Sequence, residues 1–399
     1  MSQTIRDVTV EAARECMLAA APAPTPETVA LEDAIGRVLA EPVIALRDQP
    51  PFDASAMDGW AVCGSGEVFQ IMGESAAGKR YRETLAAGQA VRIFTGAPVP
   101  AGADRVVIQE EAVREHDRVR LLAREQRSTH IRKQAGDFQA GAALLERGMR
   151  LDPWRLSLAA AAGRASLVVA LRPKVVVLST GEELVPAGAT PGPDQIFDSG
   201  GPTLAALIQA WGGEARRLAV TGDDAGAICD AVRLADGDLI VTLGGASVGD
   251  HDLVKPALAD LGLILSFETV KLRPGKPTWF GILGDGRRVL GLPGNPASAL
   301  VCAELFLKPL LMGMLGASAA PALVSARLAK PLPANGAREH WARAKVTFHD
   351  GGLFVEAMTD QDSSLVSVFA RADALIRCPI GSPAVDAGAV VEVLLLGRL

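Results

Sequence analysis

The sequence predicts a multidomain chain of α/β and β class: a central doubly wound α/β domain, an inserted β-rich domain, an N-terminal helical linker domain and a small C-terminal β barrel. Three observations predict it. Between residues 172 and 315, short apolar runs alternate with amphipathic helical stretches, the pattern of parallel strands joined by helical crossovers. Residues 44–145 and 316–399 instead carry short β-type runs separated by Gly and Pro turns. The 399 residues also exceed what one hydrophobic core usually organises.

Taken in order, Val8, Val10, Ala12, Met17 and Leu18 over 7–20, and Val29, Leu31, Ile35, Val38 and Leu39 over 27–39, predict two short amphipathic helices. The Ala-Pro-Ala-Pro-Thr-Pro run at 21–26 between them is a loop, because proline fixes φ and removes a donor. Residues 151–170 return to an Ala-rich helical pattern expected to pack against those helices. The linker domain is therefore 1–43 plus 146–171, and 44–145 is an insertion with strands such as Val91–Phe94 and Arg105–Gln109.

In the α/β domain, Val175–Ser179 is a continuous apolar run of the kind buried on both faces of a parallel sheet. Leu204, Leu207, Ile208 and Trp211 fall at i, i+3, i+4, i+7, and Gly212-Gly213 stops that helix. There follow strand Arg216–Val220, helix Ala225–Ala235, strand Leu239–Leu243, helix Asp252–Leu261, strand Ile264–Phe267, strands near 278–291 and helix Pro296–Met312. A Pro- and Ala-rich linker then leads into short β segments ending at Ala389–Leu396.

Composition excludes several functions. A net charge of −6 offers nucleic acid and anionic membranes no general attraction. The richest basic stretch, Arg124–Lys133, is broken by Glu125 and reads as solvated surface. Five scattered cysteines without a CxxC pair exclude a zinc site or disulfide framework. The N-terminus lacks a signal-peptide core and no run approaches 18 apolar residues, so cytoplasm is the expected compartment.

Candidate chemistry sits in loops. Gly73–Arg80 has the glycine spacing of a nucleotide P-loop, but Arg80 replaces the metal-binding hydroxyl and no apolar helix follows. Loop Thr242–Asp252 is better placed, after a predicted strand at the carboxyl edge where α/β sheets bind ligands. Gly244, Gly245 and Gly249 let backbone amides approach an anion and Ser247 adds a donor, although an ordinary Gly-rich turn explains the loop equally well on its own. Loop Leu292–Ser298 carries Pro293, Gly294 and Asn295 before Pro296, which also suits plain helix punctuation. Loop Lys271–Pro277 brings Lys271, Arg273 and Lys276 onto a rigid turn with Pro274 and Gly275, as phosphate or oxyanion binding requires.

Three such loops at one sheet edge point to an anion site. Glu182, Glu183, Asp194, Asp198, Asp223, Asp224, Asp250 and Asp252 collect there too, which points to Mg²⁺, with Asp224 and Asp252 also suited to N-caps. His251 reads as a surface neighbour. Outside this domain, the polar runs Pro50–Trp60 and Arg92–Pro100 have the turn residues of ordinary loops.

PPFDASAMDGWAV, RIFTGAPVPAGAD, STGEEL, TLGGASVGDHD, RPGKP and GLPGNPAS together, in this order and across essentially the whole chain, resemble the molybdopterin molybdenumtransferase family, of the MoeA and gephyrin E-domain type. The resemblance implies an elongated homodimer of four domains whose α/β unit is similar to MogA, the partner enzyme that adenylylates molybdopterin. It implies a reaction in which adenylyl-molybdopterin and molybdate give molybdenum cofactor and AMP with help from Mg²⁺. It also implies contacts with that adenylyltransferase and with recipient molybdoenzymes.

Carried over by motif, the functional positions are Asp58, Thr95, Asp137, Glu183, Asp223 and Asp252. Of these, Glu183, Asp223 and Asp252 would lie nearest the metal and phosphate, and Asp58, Thr95 and Asp137 would reach a neighbouring subunit's site. Ser247 and the glycines would hold the anion, and Arg343 and Ser363 match positions in the last domain. Arg273 stands where relatives often carry Lys, Thr269 where another Lys is usual, and Trp60 where Tyr is usual. Two rival functions suit parts of the pattern: adenylyl transfer to molybdopterin, which would not need the flanking β domains, and a non-catalytic cofactor-binding scaffold, against which the intact carboxylates stand.

Overall fold

A computed structural model describes residues 5–122, 128–220, 222, 224–245, 253–349 and 351–397. Backbone packing divides the chain into two compact units, one of Met1–Glu27 with Ala170–Leu399 and one of Thr28–Val169.

Within the larger unit, labels follow chain order. Helix α1 is Val10–Ala19 and is capped by the Thr9 hydroxyl, which accepts from Ala12 N. The α/β sheet uses strands β1 Lys174–Ser179, β2 Glu214–Arg217, β3 Leu239–Leu243, β4 Ile264–Phe267, β6 Trp279–Ile282 and β7 Arg288–Leu292, while β5 Leu272–Arg273 lies outside it. The order across the sheet is β2-β1-β3-β7-β6-β4. Strands β2, β1, β3 and β7 run parallel, and β6 and β4 continue antiparallel.

Helices α2 Gly200–Ala210, α3 Ala225–Leu234, α4 Val254–Ala259 and α5 Pro296–Met314 complete the wrap. Alternation of side chains sorts them between the two sheet faces. Val175, Val177, Leu239, Val241, Leu290 and Leu292 pack with α1, α2 and α5, while Val176, Leu178, Ile240, Trp279 and Val289 pack with α3 and α4. Because β2 and β3 leave β1 in opposite directions, the strand order reverses between β1 and β3, and ligands of such sheets bind above that switch point.

Helix α5 is long and apolar enough to cross a membrane by length and composition, yet 83% of its most apolar window is buried inside the protein, so it is a core helix. Glu304 and Lys308, paired at 3.0 Å, interrupt the apolar run without ending the helix, so the helix contains no unbroken run of 18 apolar residues.

The C-terminal strands are β8 Leu323–Leu328, β9 Glu339–His349, β10 Gly352–Ala357, β11 Ala374–Cys378 and β12 Val390–Leu395. They close as β9-β10-β8-β12-β11-β9, a five-stranded barrel as expected. Short strand β5 of the α/β region adds to it in parallel, with Leu272 opposite Glu339 and Arg273 opposite His340.

The smaller unit holds a six-stranded sheet built from Gly59–Val62, Val68–Ser75, Gln89–Ile93, Arg105–Ile108, Ala112–Glu115 and Arg118–Leu121. Gly73–Arg80 is the end of a strand followed by a turn with no helix, so it is not a P-loop. The helix expected over 27–39 is not formed: Pro26–Ala30 is a strand exposed on alternate residues, followed by a 3-10 turn. Its Val29 and Leu31 serve a period of two as well as one of 3.6, and the packing surface of Leu167 and Val169 decides for the strand.

Likewise, 151–170 is a shorter helix, Pro153–Ala161, followed by strand Ser166–Ala170. That helix packs in a core with Val29, Leu31, Leu39 and Val43, whereas α1 packs in the core of the larger unit. The expected packing of two N-terminal helices against it is therefore replaced.

Candidate functional site

The loops after β1, β3 and β7 meet above the switch point and line a cavity of about 680 Å³. Thr180, Gly181 and Glu183 come from the first, Gly244 and Gly245 from the second, and Pro293, Gly294 and Asn295 from the third. Gly244 adopts φ +88°, and a Cβ there would sit 2.7 Å from the Thr180 carbonyl. Only glycine lets these two loops come so close. Thr180 N donates to Leu243 O at 2.9 Å and Gly244 N to Leu292 O at 3.3 Å, which ties the three loops into one rim.

Glu183 is exposed on this rim, and its carboxylate folds over Gly181. Ser247, Gly249 and Asp252 of the same loop system, and Asp223, lie outside the described residues. Among the described residues, no group of three or more His, Cys, Asp or Glu could hold a metal ion. Asp224 is an N-cap, as its alternative reading has it, accepting from Ala227 N at 2.6 Å.

Asp198 also lines the cavity and is 4% exposed. It accepts from Gly201 N at 2.8 Å, Ser179 Oγ at 3.2 Å and Arg217 Nη2 at 3.1 Å. It thus fixes the start of α2 and the end of β1 together. Asp198→Ala would leave those donors without their acceptor, and is expected to lower stability by about 2 kcal/mol, read as a fall in the urea midpoint.

A second cavity of about 830 Å³ adjoins the first, sharing Pro277, Pro293 and Asn295 as walls. Arg273, Pro274, Gly275 and Lys276 form one side, and barrel residues Arg338, His340, Asp360, Asp362 and Ser363 another. Gly275 is buried at φ +116°, and its missing Cβ would lie 2.3 Å from Cys302 Sγ of α5. Burial pushes the Cys302 thiol up to about 12, so it acts as an apolar filler beneath the turn.

Asn295 stands at the N-cap position of α5, but its side chain makes no capping bond. Its Nδ2 donates instead to Ser363 Oγ at 3.2 Å, and Ala297 N donates to Ser363 O at 3.1 Å. These bonds join the loop after β7 to the barrel loop 358–364. Arg343 has no exposed surface and is not a cavity wall. It braces that barrel loop from behind through Nε to Gln361 Oε1 at 3.2 Å and Nη1 to Asp362 O at 2.8 Å. Arg343 Nη2 is buried with no hydrogen-bond partner among the described residues.

Sequence reasoning missed Arg338 and His340. They belong to no motif, and the only signal is alternation along β9, which puts His340 and Ala342 on one cavity-facing row, with Arg338 lining the cavity from the residue just before the strand. Thr269 is 6% exposed and bonded to Asp7, with Asp7 N donating to its Oγ1 at 2.8 Å. Its role is to anchor the N-terminal segment.

In the smaller unit, strand Gly59–Val62 pairs with Gln89–Ile93 so that Gly59 faces Ile93. That register brings the loop before one strand to the loop after the other, and Thr95 N and Oγ1 both donate to Asp58 Oδ1 at 2.7 Å. Those bonds, the backbone one first, hold the Asp58 carboxyl below its usual range. Asp137 is exposed on a turn whose backbone N donates to Gln49 O at 2.9 Å, and Lys133 and Gln134 of the same turn hold Asp53. The three predicted segments thus converge on residues 49–58. Trp60 is buried, with Arg92 5.4 Å over its ring.

Three family matches cover most of the chain: residues 8–163 match the MoeA N-terminal region (domain I and II), 176–313 a probable molybdopterin binding domain and 325–396 the MoeA C-terminal region (domain IV). A protein named molybdopterin molybdenumtransferase from Nostoc sp. is 35% identical over 93% of this chain and 88% of its own length. One of the same name from Staphylococcus epidermidis is 31% identical over 92% of this chain and 90% of its own. Two crystal structures of the molybdopterin biosynthesis MoeA protein of Pyrococcus horikoshii, 30% and 26% identical, superpose with a TM-score of 0.83 over 99% and 98% of this chain and 100% of theirs. Likeness of this extent, in sequence and in every part of the fold, means that the chain belongs to the molybdopterin molybdenumtransferase (MoeA) family.

Proposed function

We propose that this chain inserts molybdate into adenylyl-molybdopterin, releasing AMP and the molybdenum cofactor, in the cytoplasm. One observation carries the reading: two cavities adjoin across Pro277, Pro293 and Asn295, one rimmed by the backbone loops of an α/β switch point and the other walled by Arg273, Lys276 and Arg338. A phosphate-bearing pterin suits the first and a small oxyanion the second. Reacting groups held in adjacent cavities need no bimolecular encounter, which is where much of the rate originates.

In this reading Gly244, Gly245, Ser247 and Gly249 hold the phosphate, with Pro293, Gly294 and Asn295 as the opposite wall. Pro274 and Gly275 shape the turn that presents Arg273 and Lys276 to the oxyanion. Ser363, fixed by Asn295, and Arg343, through its grip on the 358–364 loop, set the barrel side. Glu183, Asp223 and Asp252 would hold Mg²⁺; all three are hard oxygen donors that suit it, and the ion would neutralise charge developing at the cleaved anhydride. The alternative of a non-catalytic scaffold gives no reason for Glu183 to stand exposed on the rim. Incubating the pure chain with adenylyl-molybdopterin, molybdate and Mg²⁺ decides the matter: AMP is expected, and its absence would sink the proposal.

The chain also acts as a homodimer in this reading, with Asp58, Thr95 and Asp137 completing the neighbouring subunit's site. Asp58→Ala and Glu183→Ala chains, each inactive alone, should regain about a quarter of full activity when unfolded and refolded together, because half the dimers then carry one intact site. No recovery would mean that each site is built from one chain. Other partners follow the pathway's chemistry: the adenylyltransferase that supplies the substrate and the molybdoenzymes that accept the product, with no nucleic acid or membrane.

A further inference from the structure

We propose that His340 couples anion capture in the larger cavity to proton uptake. The inference rests on reading that cavity as an oxyanion site, and it adds the group that adjusts the cavity's charge to its contents. His340 lies on the wall formed by β9, half-buried, beside Arg273 through the parallel β5 pairing and beside Cys378 through the antiparallel β11 pairing. Asn335 Nδ2 donates to the carbonyls of Arg338 and Cys378 at 2.8 and 2.9 Å, which fixes the backbone on both sides of it.

The charged groups around it are unequal. Arg273 ends β5 and Lys276 lies on the turn after it, while Arg338 immediately precedes β9 and buried Arg343 lies on it. Cys378 of β11 is kept uncharged by burial, which raises its thiol. Asp360 and Asp362 line the opposite loop, but both are engaged there: Asp360 Oδ1 accepts from Asp362 N at 2.9 Å, and Asp362 Oδ1 accepts from Ser364 N at 2.9 Å and Oγ at 2.6 Å.

Burial first, then Arg273, Arg343 and Arg338, depress His340 from 6.5 to about 4. The empty cavity therefore holds an uncharged imidazole at neutral pH. A bound dianion offsets the arginines and favours the imidazolium, which then offers two N–H donors where the neutral ring has one. The arginines cannot respond in this way, because guanidinium does not titrate in the range.

The sign of the pH effect follows. Between pH 6.5 and about 4 the unfolded chain binds a proton at this position that the folded chain does not, so stability falls as pH falls through that window. Bound anion should remove that part of the loss, as should His340→Gln.

The test uses the full chain with ¹³C-labelled histidine and inorganic molybdate as probe. The chain has five histidines, and single substitutions of each, with His340→Asn beside His340→Gln, assign the ring signals; the readout itself needs only the wild-type chain. Binding is followed separately by calorimetry at neutral pH. Without molybdate the His340 ring should keep its neutral shift down to about pH 6; with saturating molybdate it should be roughly half protonated there. Measured molybdate binding with a ring that stays neutral overturns the coupling and leaves the oxyanion site standing. No molybdate binding overturns the oxyanion site and the coupling with it.

Discussion

Glu183→Ala is expected to lower AMP release on the order of 10²-fold while leaving the fold intact, since removing one ligand or charge-stabilising group of a site costs this much. The geometry gives the reason for both halves. Glu183 projects from the loop after β1 onto the rim of the 680 Å³ cavity, and its side chain is exposed. Its backbone carbonyl accepts from Ile196 N at 2.7 Å, so the loop has an anchor that does not depend on the carboxylate. Exposed side chains away from buried networks change stability by no more than about 0.5 kcal/mol. Urea midpoints of wild type and variant should therefore coincide while their rates of AMP release separate. Glu183→Gln, which keeps size and removes charge, should fall nearly as far; if it retained wild-type activity, Glu183 would be a shape element and the metal-ligand role would be wrong.

Gly275→Ala should lower stability by about 3 kcal/mol, from roughly equal parts of overpacking and backbone strain. The added methyl group would lie 2.3 Å from Cys302 Sγ and 2.9 Å from Leu272 Cδ2, both fully buried, with φ at +116°. Neither neighbour can swing away, because Cys302 is in core helix α5 and accepts a hydrogen bond from Thr278 Oγ1 at 3.1 Å. The turn itself must lift, taking Arg273 and Lys276 with it, so molybdate binding should weaken along with stability. Gly286→Ala separates the two causes: its φ is +88° with open space around it, so strain alone, about 1 kcal/mol, should be lost. Equal urea midpoints for the two variants would show that the contact with Cys302 is not what demands glycine.

How much of this was legible in the sequence depended on whether local pattern or tertiary contact decided the outcome. Leu239–Leu243 is a strand at the residues expected, because five consecutive apolar or Thr residues fully buried in a parallel sheet leave no other choice. Strand β2 lies at Glu214–Arg217 rather than Arg216–Val220, because as an edge strand it buries little and its position is set by pairing with β1. The stretch 27–39 carries a pattern that suits two periodicities, and only its packing partners choose between them. Asp58 and Thr95 were recognisable from motifs, whereas their mutual hydrogen bonds follow from register, which the motifs do not contain. Arg338 and His340 were invisible for the same reason: alternation along β9 shows which face His340 takes, not that this face and the Arg338 turn before the strand close a cavity.

Strand β5 has a consequence for how the molecule can be divided. By chain order it belongs to the α/β region, but its hydrogen bonds run to β9 of the barrel. A shortened chain ending near residue 315 would keep the sheet edge and its loops while stripping Arg273 of the ladder that aims it. Engineering this protein as interchangeable modules would therefore preserve the loops above the sheet edge and forfeit the neighbouring pocket, so grafts should exchange the turn around Gly275 and the barrel as a single part.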